Sequence, residues 1–171
     1  VNQLEKLSKK VFLPFGYFFL NEPPKEELPI PFFRTKQGKT KKVSINVYDT
    51  ILILQKRQDW LKEYLQDNEF QNLPFVGKFK DSDDVLNIVA DIRETLGLSE
   101  TWASAFTTWQ EALGYLTEQI EEAGIITTFN GIVGNNTRRK IPVEECRGFV
   151  LVDEVAPFMF INNADGKAAQ M

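Results

Sequence analysis

The sequence predicts an α+β protein in which several helices are followed by a small β-sheet. Residues 44–68 and 101–123 repeat apolar side chains at three-four spacing, which is typical of amphipathic helices. Short apolar runs at residues 125–129, 148–153 and 158–162 predict strands, and they lie near one another late in the sequence. No internal repeat is visible. A length of 171 residues suits one domain, or one domain with a short appendage.

The first segments predict a helix and then a linker. Residues 2–10 place Leu4, Leu7 and Val11 on one helical face and lysines on the other. Residues 21–42 carry four prolines within nine positions and then several lysines. Because proline breaks helices and favours extended backbone, this segment predicts a Pro-rich and then basic linker.

Three helices are predicted between the linker and the strands. The first, residues 44–68, is apolar on one face except for Gln58. The second begins at the acidic residues 81–84, and its apolar stripe is expected to be buried. That stripe consists of Val85, Ile88, Val89, Ile92 and Leu96. The third covers residues 101–123 and ends at Gly124. Its stripe consists of Phe106, Trp109, Leu113, Leu116 and Ile120.

The last third of the sequence predicts strands and the start of a helix. Residues 130–140 are polar and predict a loop between strands. The strands at residues 148–153 and 158–162 are separated by a connection short enough for a hairpin. Residues 164–171 favour a helix that begins after good capping residues.

The composition excludes several classes of site. The chain has no histidine, so a Ser-His-Asp triad, a Cys-His dyad and a His-ligated zinc site are all excluded within it. Its single cysteine, Cys146, forms no internal disulfide, and without histidine a buried structural thiol is favoured over a nucleophile. No apolar run approaches the roughly 20 residues that span a bilayer, and no signal peptide is recognisable. We therefore expect a soluble cytoplasmic protein that does not enter membranes.

Charge is unevenly distributed along the chain. The net charge is −4, but residues 1–42 carry +5 and residues 43–171 carry −9. A basic beginning is expected where a segment belongs to, or abuts, a nucleic-acid-binding element. A solvated lysine-rich loop gives the same pattern, and on charge alone we favour it. Direct nucleic-acid binding by residues 34–42 remains a weaker alternative.

Most short motifs in the sequence have a simple structural interpretation. Gly166-Lys167 lacks the other residues of a P-loop. Residues 81–84 lack the glycine and the distal glutamate of a calcium loop, so a helix cap is favoured. The loop containing Asn135, Asn136, Arg138 and Arg139 combines cations with amide side chains, as an anion or peptide carboxylate requires. A solvated loop is the favoured alternative there. No catalytic centre is evident.

A series of short segments occurs in a characteristic order along nearly the whole chain. They are FGYFFL at 15–20, EPP at 22–24, ELPIP at 27–31, FRT at 33–35, RQDW at 57–60, LPFVG at 73–77, TWQEAL at 108–113, GNNTRR at 134–139, RGF at 147–149, VD at 152–153, AP at 156–157, FIN at 160–162 and AAQM at 168–171. Together they resemble the ImmA/IrrE family of zinc metallopeptidases fused to helix-turn-helix (XRE-like) regulators.

The resemblance implies a zincin-like peptidase domain truncated before its active-site helix. Residues 1–20 would be the tail of an upstream helix-turn-helix domain, residues 21–42 the linker, and residues 43–171 a helical region plus the start of the peptidase domain. In the family, the helix that begins near Asp165 continues into H-E-x-x-H, which supplies zinc ligands and a general base. No position here matches that motif. Zinc is therefore expected in the full-length parent and not in this chain.

One strand has a role that only the resemblance implies. Phe158, Phe160 and Asn162 precede the position of the active helix, where an extended substrate can pair with a strand. The side chains equally suit a hydrophobic core, and we favour the core for them while the role of the backbone stays open.

The parent is then expected to cleave a protein, a repressor or antitoxin, in phage, toxin–antitoxin or stress regulation. It would bind DNA through its helix-turn-helix domain, and a homodimer is a further expectation. The alternative is a regulatory, sensor or dimerisation module of a transcriptional regulator without peptidase activity.

Overall fold

The α+β class is confirmed by the computed structural model, which describes residues 2–23 and 43–171. Most of the linker predicted at residues 21–42 lies outside the described residues. The helices are α1 (Asn2–Val11), α2 (Ile45–Asp67), α3 (Val85–Thr95), α4 (Trp109–Glu122) and α5 (Lys167–Gln170). The strands are β1 (Ile126–Phe129), β2 (Ile132–Val133), β3 (Asn136–Lys140), β4 (Gly148–Leu151) and β5 (Phe158–Ile161). Two short 3₁₀ helices cover Phe15–Phe19 and Trp102–Ala105.

The main sheet has the strand order β1-β5-β4. β5 pairs in parallel with β1 and antiparallel with β4, so the hairpin predicted from the short connection is confirmed. β2 and β3 form a separate two-stranded antiparallel sheet. Its residues lie within the segment that the sequence predicts as a polar loop, so that prediction is wrong. The physical reason is that β3 is polar and largely exposed, and it lacks the apolar alternation that marks a half-buried strand.

Helix α2 forms the core with one face of the main sheet. Val47, Ile51 and Leu54 are buried at three-four spacing, as predicted for this helix. They pack in one cluster with side chains from the strands and the connections between them: Val133, Ile141, Cys146, Leu151, Phe158 and Phe160. The Phe149 and Phe160 rings stack across the β4–β5 pair with centroids 4.9 Å apart. Burying each of these large apolar side chains contributes about 1.5–3 kcal/mol, so α2 fixes the sheet in place.

The third predicted helix begins later than its apolar spacing indicates. Residues 102–105 form a 3₁₀ helix, and α4 begins only at Trp109. Thr108 accepts a hydrogen bond from the Glu111 N–H while the Glu111 carboxylate accepts one from the Thr108 N–H. This capping box satisfies donors that a longer helix would have used, and it sets the start of α4. Trp109, a member of the apolar stripe of this helix, is 64% exposed.

The apolar stripe of α3 is largely exposed, so the expectation that it is buried is wrong. Val85, Val89 and Ile92 are 68%, 39% and 49% exposed. The helix itself lies where the sequence places it, and it ends before Gly97, which has a φ of +62°. Spacing specifies that a helix has an apolar face, but only tertiary packing determines whether another element covers that face.

Candidate functional site

The strand that the resemblance assigns to the substrate is the middle strand of the sheet. Phe158 and Phe160 are buried against α2, as the core interpretation expects. The backbone of β5 is paired with β1 on one side and with β4 on the other over its whole length. Both pairing sides of β5 are therefore occupied by strands of this chain, and the substrate-side role that the resemblance implies for Phe158, Phe160 and Asn162 stays a prediction.

Asn162 has a structural role at the end of β5. Its side chain is 0% exposed and donates to the carbonyl oxygens of Ile141 at 3.0 Å and Cys146 at 2.9 Å. Its Oδ1 accepts the N–H of Ala164 at 3.1 Å. A Cβ on Gly131 would lie only 3.3 Å from that Oδ1. One buried amide therefore ties together three separate segments at the point where the chain leaves the sheet, because each polar atom there needs a partner.

The turn after Asn162 leads directly into α5. Gln170, which is buried, donates to the carbonyl oxygens of Asn163 and Asp165 at 3.3 and 2.6 Å. α5 also packs against α4. Arg147 lies 3.4 Å from Asp165 Oδ2, but that oxygen has no hydrogen-bond donor. The direction in which α5 leaves the sheet is thus set by hydrogen bonds to its own turn and by packing on α4.

The backbone of β4 offers the accessible edge that β5 lacks. The Asn162 N–H donates to the Arg147 carbonyl, and antiparallel pairs alternate between bonded and non-bonded residues. By that alternation the backbone N–H and C=O of Val150 point away from β5. In the part of the chain that the structure describes, no strand pairs with this side of β4. Val150 is 47% exposed, so the edge is open to an added strand.

An ion pair supports the connection between β4 and β5. Lys62 of α2 donates to Asp153 Oδ2 at 2.6 Å, while Asp153 Oδ1 accepts the N–H groups of Val155 and Ala156. Burial raises the pKa of Asp153, but the hydrogen bonds from Lys62 and from those two N–H groups outweigh it, and the pKa is lowered. The hydrogen bond that Lys62 donates to Asp153 raises the pKa of Lys62. All of these contacts hold the connection between β4 and β5 in place, so Lys62 and Asp153 have a structural role.

The loop singled out for anion binding is the tip and second strand of the β2–β3 hairpin. Arg139 is fully engaged there: it donates to Asn46 at 3.0 Å and to Asp49 at 2.6 Å, and its guanidinium lies 4.5 Å from the Phe12 ring centroid. Asn135, Asn136 and Arg138 instead line an open cleft of about 750 Å³. The structure therefore separates Arg139 from the other three residues.

Sequence reasoning missed that α1 forms the other wall of this cleft. Lys9, Lys10 and Phe12 line it opposite the hairpin. The two lysines were visible as a basic end of a helix, but nothing in the sequence indicated that residues more than a hundred positions apart would meet. We refer to this feature as the basic cleft, lined by Lys9, Lys10, Phe12, Asn135, Asn136 and Arg138, with Thr137 beside them.

The remaining reactive and metal-ligating groups do not form a centre. Cys146 is buried, and burial raises its pKa to about 11, so its thiol is protonated at neutral pH. Within residues 2–23 and 43–171, no three His, Cys, Asp or Glu side chains come together as metal ligands. None of the helices that the structure describes is long and apolar enough to cross a bilayer.

Comparison with protein-family models, with curated proteins and with solved structures finds no match for this chain.

Proposed function

We propose that this chain is the non-catalytic portion of an ImmA/IrrE-like zinc-dependent endopeptidase fused to a DNA-binding regulator. The observation that supports the proposal best is the junction of β5 and α5. A buried central strand ends at Asn162, and a tightly hydrogen-bonded turn leads directly into a helix that packs on α4. A zincin-like domain needs its active-site helix held rigidly beside the sheet, because catalytic groups must be positioned to a fraction of an ångström.

The residues of this chain would then act by positioning and binding. Asn162 and Gln170 fix the direction of α5 through their hydrogen bonds to backbone groups. The open edge of β4 at Val150 accepts an extended segment of a protein substrate by strand addition. Zinc, which the family uses to activate water, would be held by residues of the parent that follow Met171. The proposed substrate is a repressor or antitoxin, and DNA would be bound through a helix-turn-helix domain in the cytoplasm.

The direct test of the peptidase assignment is the reading frame that follows the codon for Met171. Two histidines in an H-E-x-x-H arrangement would support the proposal, and the protein containing them should bind one zinc per chain by elemental analysis. Its Glu→Gln variant in that motif should keep the zinc and lose proteolysis. A frame without paired histidines would overturn the assignment.

The β4 edge has its own test in the zinc-loaded protein. Val150→Pro removes an N–H that β5 does not use, so the sheet should survive while substrate cleavage is lost. Val150→Thr keeps the N–H and should cleave normally. If both variants keep the circular dichroism spectrum of wild type and cleave the substrate equally well, the substrate does not pair with the β4 edge.

The second candidate function is a regulatory or dimerisation module without peptidase activity. The exposed apolar stripe of α3 favours it, since large apolar patches on a surface are common at interaction sites. Sedimentation of wild type against Val85→Lys, at an exposed residue of this stripe, measures whether the stripe holds a homodimer together. A monomeric wild-type protein would remove dimerisation from this candidate.

A further inference from the structure

The basic cleft brings together cations from two distant parts of the chain. Lys9 and Lys10 come from the last turn of α1, and Arg138 comes from β3. All three side chains are exposed, and in the described ranges none of them pairs with a carboxylate. We propose that this cleft binds the phosphate backbone of a nucleic acid. The proposal goes beyond the peptidase assignment and does not depend on it.

The charge of the cleft is local and contrasts with that of its surroundings. Residues 43–171, to which Arg138 belongs, carry a net charge of −9, and the whole chain carries −4. Yet no Asp or Glu lines the cleft among the described residues. A positive groove on an acidic protein concentrates the field at one place, which steers a polyanion to that place and not to the surface in general.

The neutral groups of the cleft are hydrogen-bond donors suited to phosphate oxygens. Asn136 uses its Oδ1 to accept the Arg138 N–H at 3.1 Å, which leaves its amide NH₂ available. Asn135 and Thr137 add an amide and a hydroxyl beside it. Protein contacts to nucleic-acid backbones come from this combination of lysine, arginine, asparagine and threonine side chains.

The shape of the cleft favours a passing strand over an enclosed small molecule. Its volume of about 750 Å³ is ample for several phosphate and sugar groups, and it is open along the surface. Small-molecule sites bury most of the ligand surface within concave apolar walls. Here all the lining residues are exposed and all but Phe12 carry polar or charged groups, so a polymer that contributes two or three phosphates fits better.

The two walls are held in register by Arg139. Its guanidinium lies over the Phe12 ring at the end of α1 while it donates to Asn46 and Asp49 of α2. Phe12 has a φ of +57°, a left-handed conformation that is uncommon outside glycine and that turns the chain sharply at this point. The cleft is therefore pre-formed, and the binding cations need not be gathered by the ligand.

The experiment measures binding of a fluorescent DNA duplex of about 20 base pairs and arbitrary sequence to the full chain, by anisotropy, from about 50 to 200 mM salt. Three phosphate contacts correspond to a slope of log K against log salt near −2.7, which is a loss of about 40-fold over that range. Lys9→Gln, Lys10→Gln and Arg138→Gln together should reduce the magnitude of the slope by about two to three and weaken binding at low salt by at least tenfold.

The matched control is Lys56→Gln, Arg57→Gln and Lys80→Gln, which removes the same charge from exposed positions outside the cleft. This control should keep most of the slope and of the affinity. Equal losses in the two triple variants, or no binding by wild type at about 50 mM salt, would overturn the proposal. A polyglutamate peptide that displaces the duplex at equal charge concentration would also overturn it, because the cleft would then select carboxylates and not phosphates. Thermal unfolding of both variants verifies that they fold.

Discussion

Thr50 and Gln58 are the polar residues buried on α2, and the side chain of Gln58 holds the β4–β5 hairpin. It is 8% exposed and donates to the carbonyl oxygens of Leu151 at 2.9 Å and Ala156 at 2.8 Å. In the sequence it is an interruption of an apolar stripe. In the structure it gives a buried donor to one carbonyl at the end of β4 and to one in the connection that follows, and so ties α2 to both.

Replacing Gln58 by methionine tests this role at nearly constant volume. The thioether fills the space but donates nothing, so the two hydrogen bonds to Leu151 and Ala156 are lost, and we expect a loss of about 2–3 kcal/mol in the free energy of unfolding. Urea denaturation gives this value. Gln66→Met on the exposed side of the same helix is the control and should change stability by less than about 0.5 kcal/mol. Equal stabilities would contradict a hairpin-supporting role for Gln58.

Asp153 makes stability depend on acidic pH. Burial opposes ionisation of this carboxyl, but hydrogen bonds from Lys62 and two backbone N–H groups lower its folded-state pKa below the ordinary value of 3.8. A lowered pKa contributes stability above the unfolded-state pKa, and that stability is lost as pH falls through the folded-state value. We therefore expect the free energy of unfolding to fall below about pH 4.

Asp153→Asn separates this residue from the other carboxylates. Its amide oxygen can still accept the Val155 and Ala156 N–H groups, while the charge that pairs with Lys62 is gone. Thermal unfolding between about pH 2 and pH 5 should show a smaller acid-dependent loss in the variant than in wild type. If the thermal stability of the variant falls with pH in parallel with that of wild type, the acid-dependent loss comes from ionisable groups other than Asp153.

At the scale of elements, the β4–β5 pair depends on a residue without a side chain. A Cβ on Gly148 would lie 2.7 Å from the backbone oxygen of Phe160, and backbone of the central strand has little freedom to move. Gly114 in α4 is the opposite case, since nothing lies within 4 Å of its Cβ position. Replacing glycine by alanine should therefore lower the free energy of unfolding at Gly148 and raise it at Gly114.

The prediction compares the two alanine variants directly. Gly148→Ala should destabilise the protein by about 1–3 kcal/mol, because the added methyl group overpacks a fixed contact. Gly114→Ala should stabilise it by about 0.5–1 kcal/mol, because glycine is costly within a helix. Denaturant midpoints measure both. A neutral Gly148→Ala variant would mean that β4 can shift away from β5, which the stacked Phe149 and Phe160 rings argue against.

At the scale of the whole molecule, the attachment of α1 depends on one aromatic ring. Arg139 of β3 lies over the Phe12 ring and so links the end of α1 to the β2–β3 hairpin and to α2. An isolated helix of ten residues is only marginally stable in water, so α1 needs such a contact to stay folded.

Phe12→Ala should release α1 without unfolding the rest of the protein. Hydrogen exchange of the α1 amides should accelerate at least tenfold, while amides of α2 exchange at the wild-type rate. Phe70→Ala removes an exposed aromatic ring elsewhere and serves as the control. Unchanged exchange in α1 would show that contacts other than this ring hold the helix.

The fold class, the order of the elements and most of their bounds follow from the amino-acid sequence alone. α2 begins and ends within one residue of its predicted bounds, and β1, β4 and β5 lie within their predicted runs, because local periodicity and turn residues encode these features. The sequence also excluded histidine-dependent chemistry outright. The core role of Phe158 and Phe160 followed from their apolar character.

Which helix faces and strand edges have partners depends on how the chain packs in three dimensions. This packing placed β5 in the centre of the sheet, left the α3 stripe exposed and brought Lys9 and Arg138 to one cleft. The same limit applies to the candidate sites: the hairpin residues were recognisable as a polar cationic segment, whereas the wall contributed by α1 was not. Local spacing describes one segment at a time, while pairing and burial depend on contacts between segments far apart in the chain, and those contacts have no local signature.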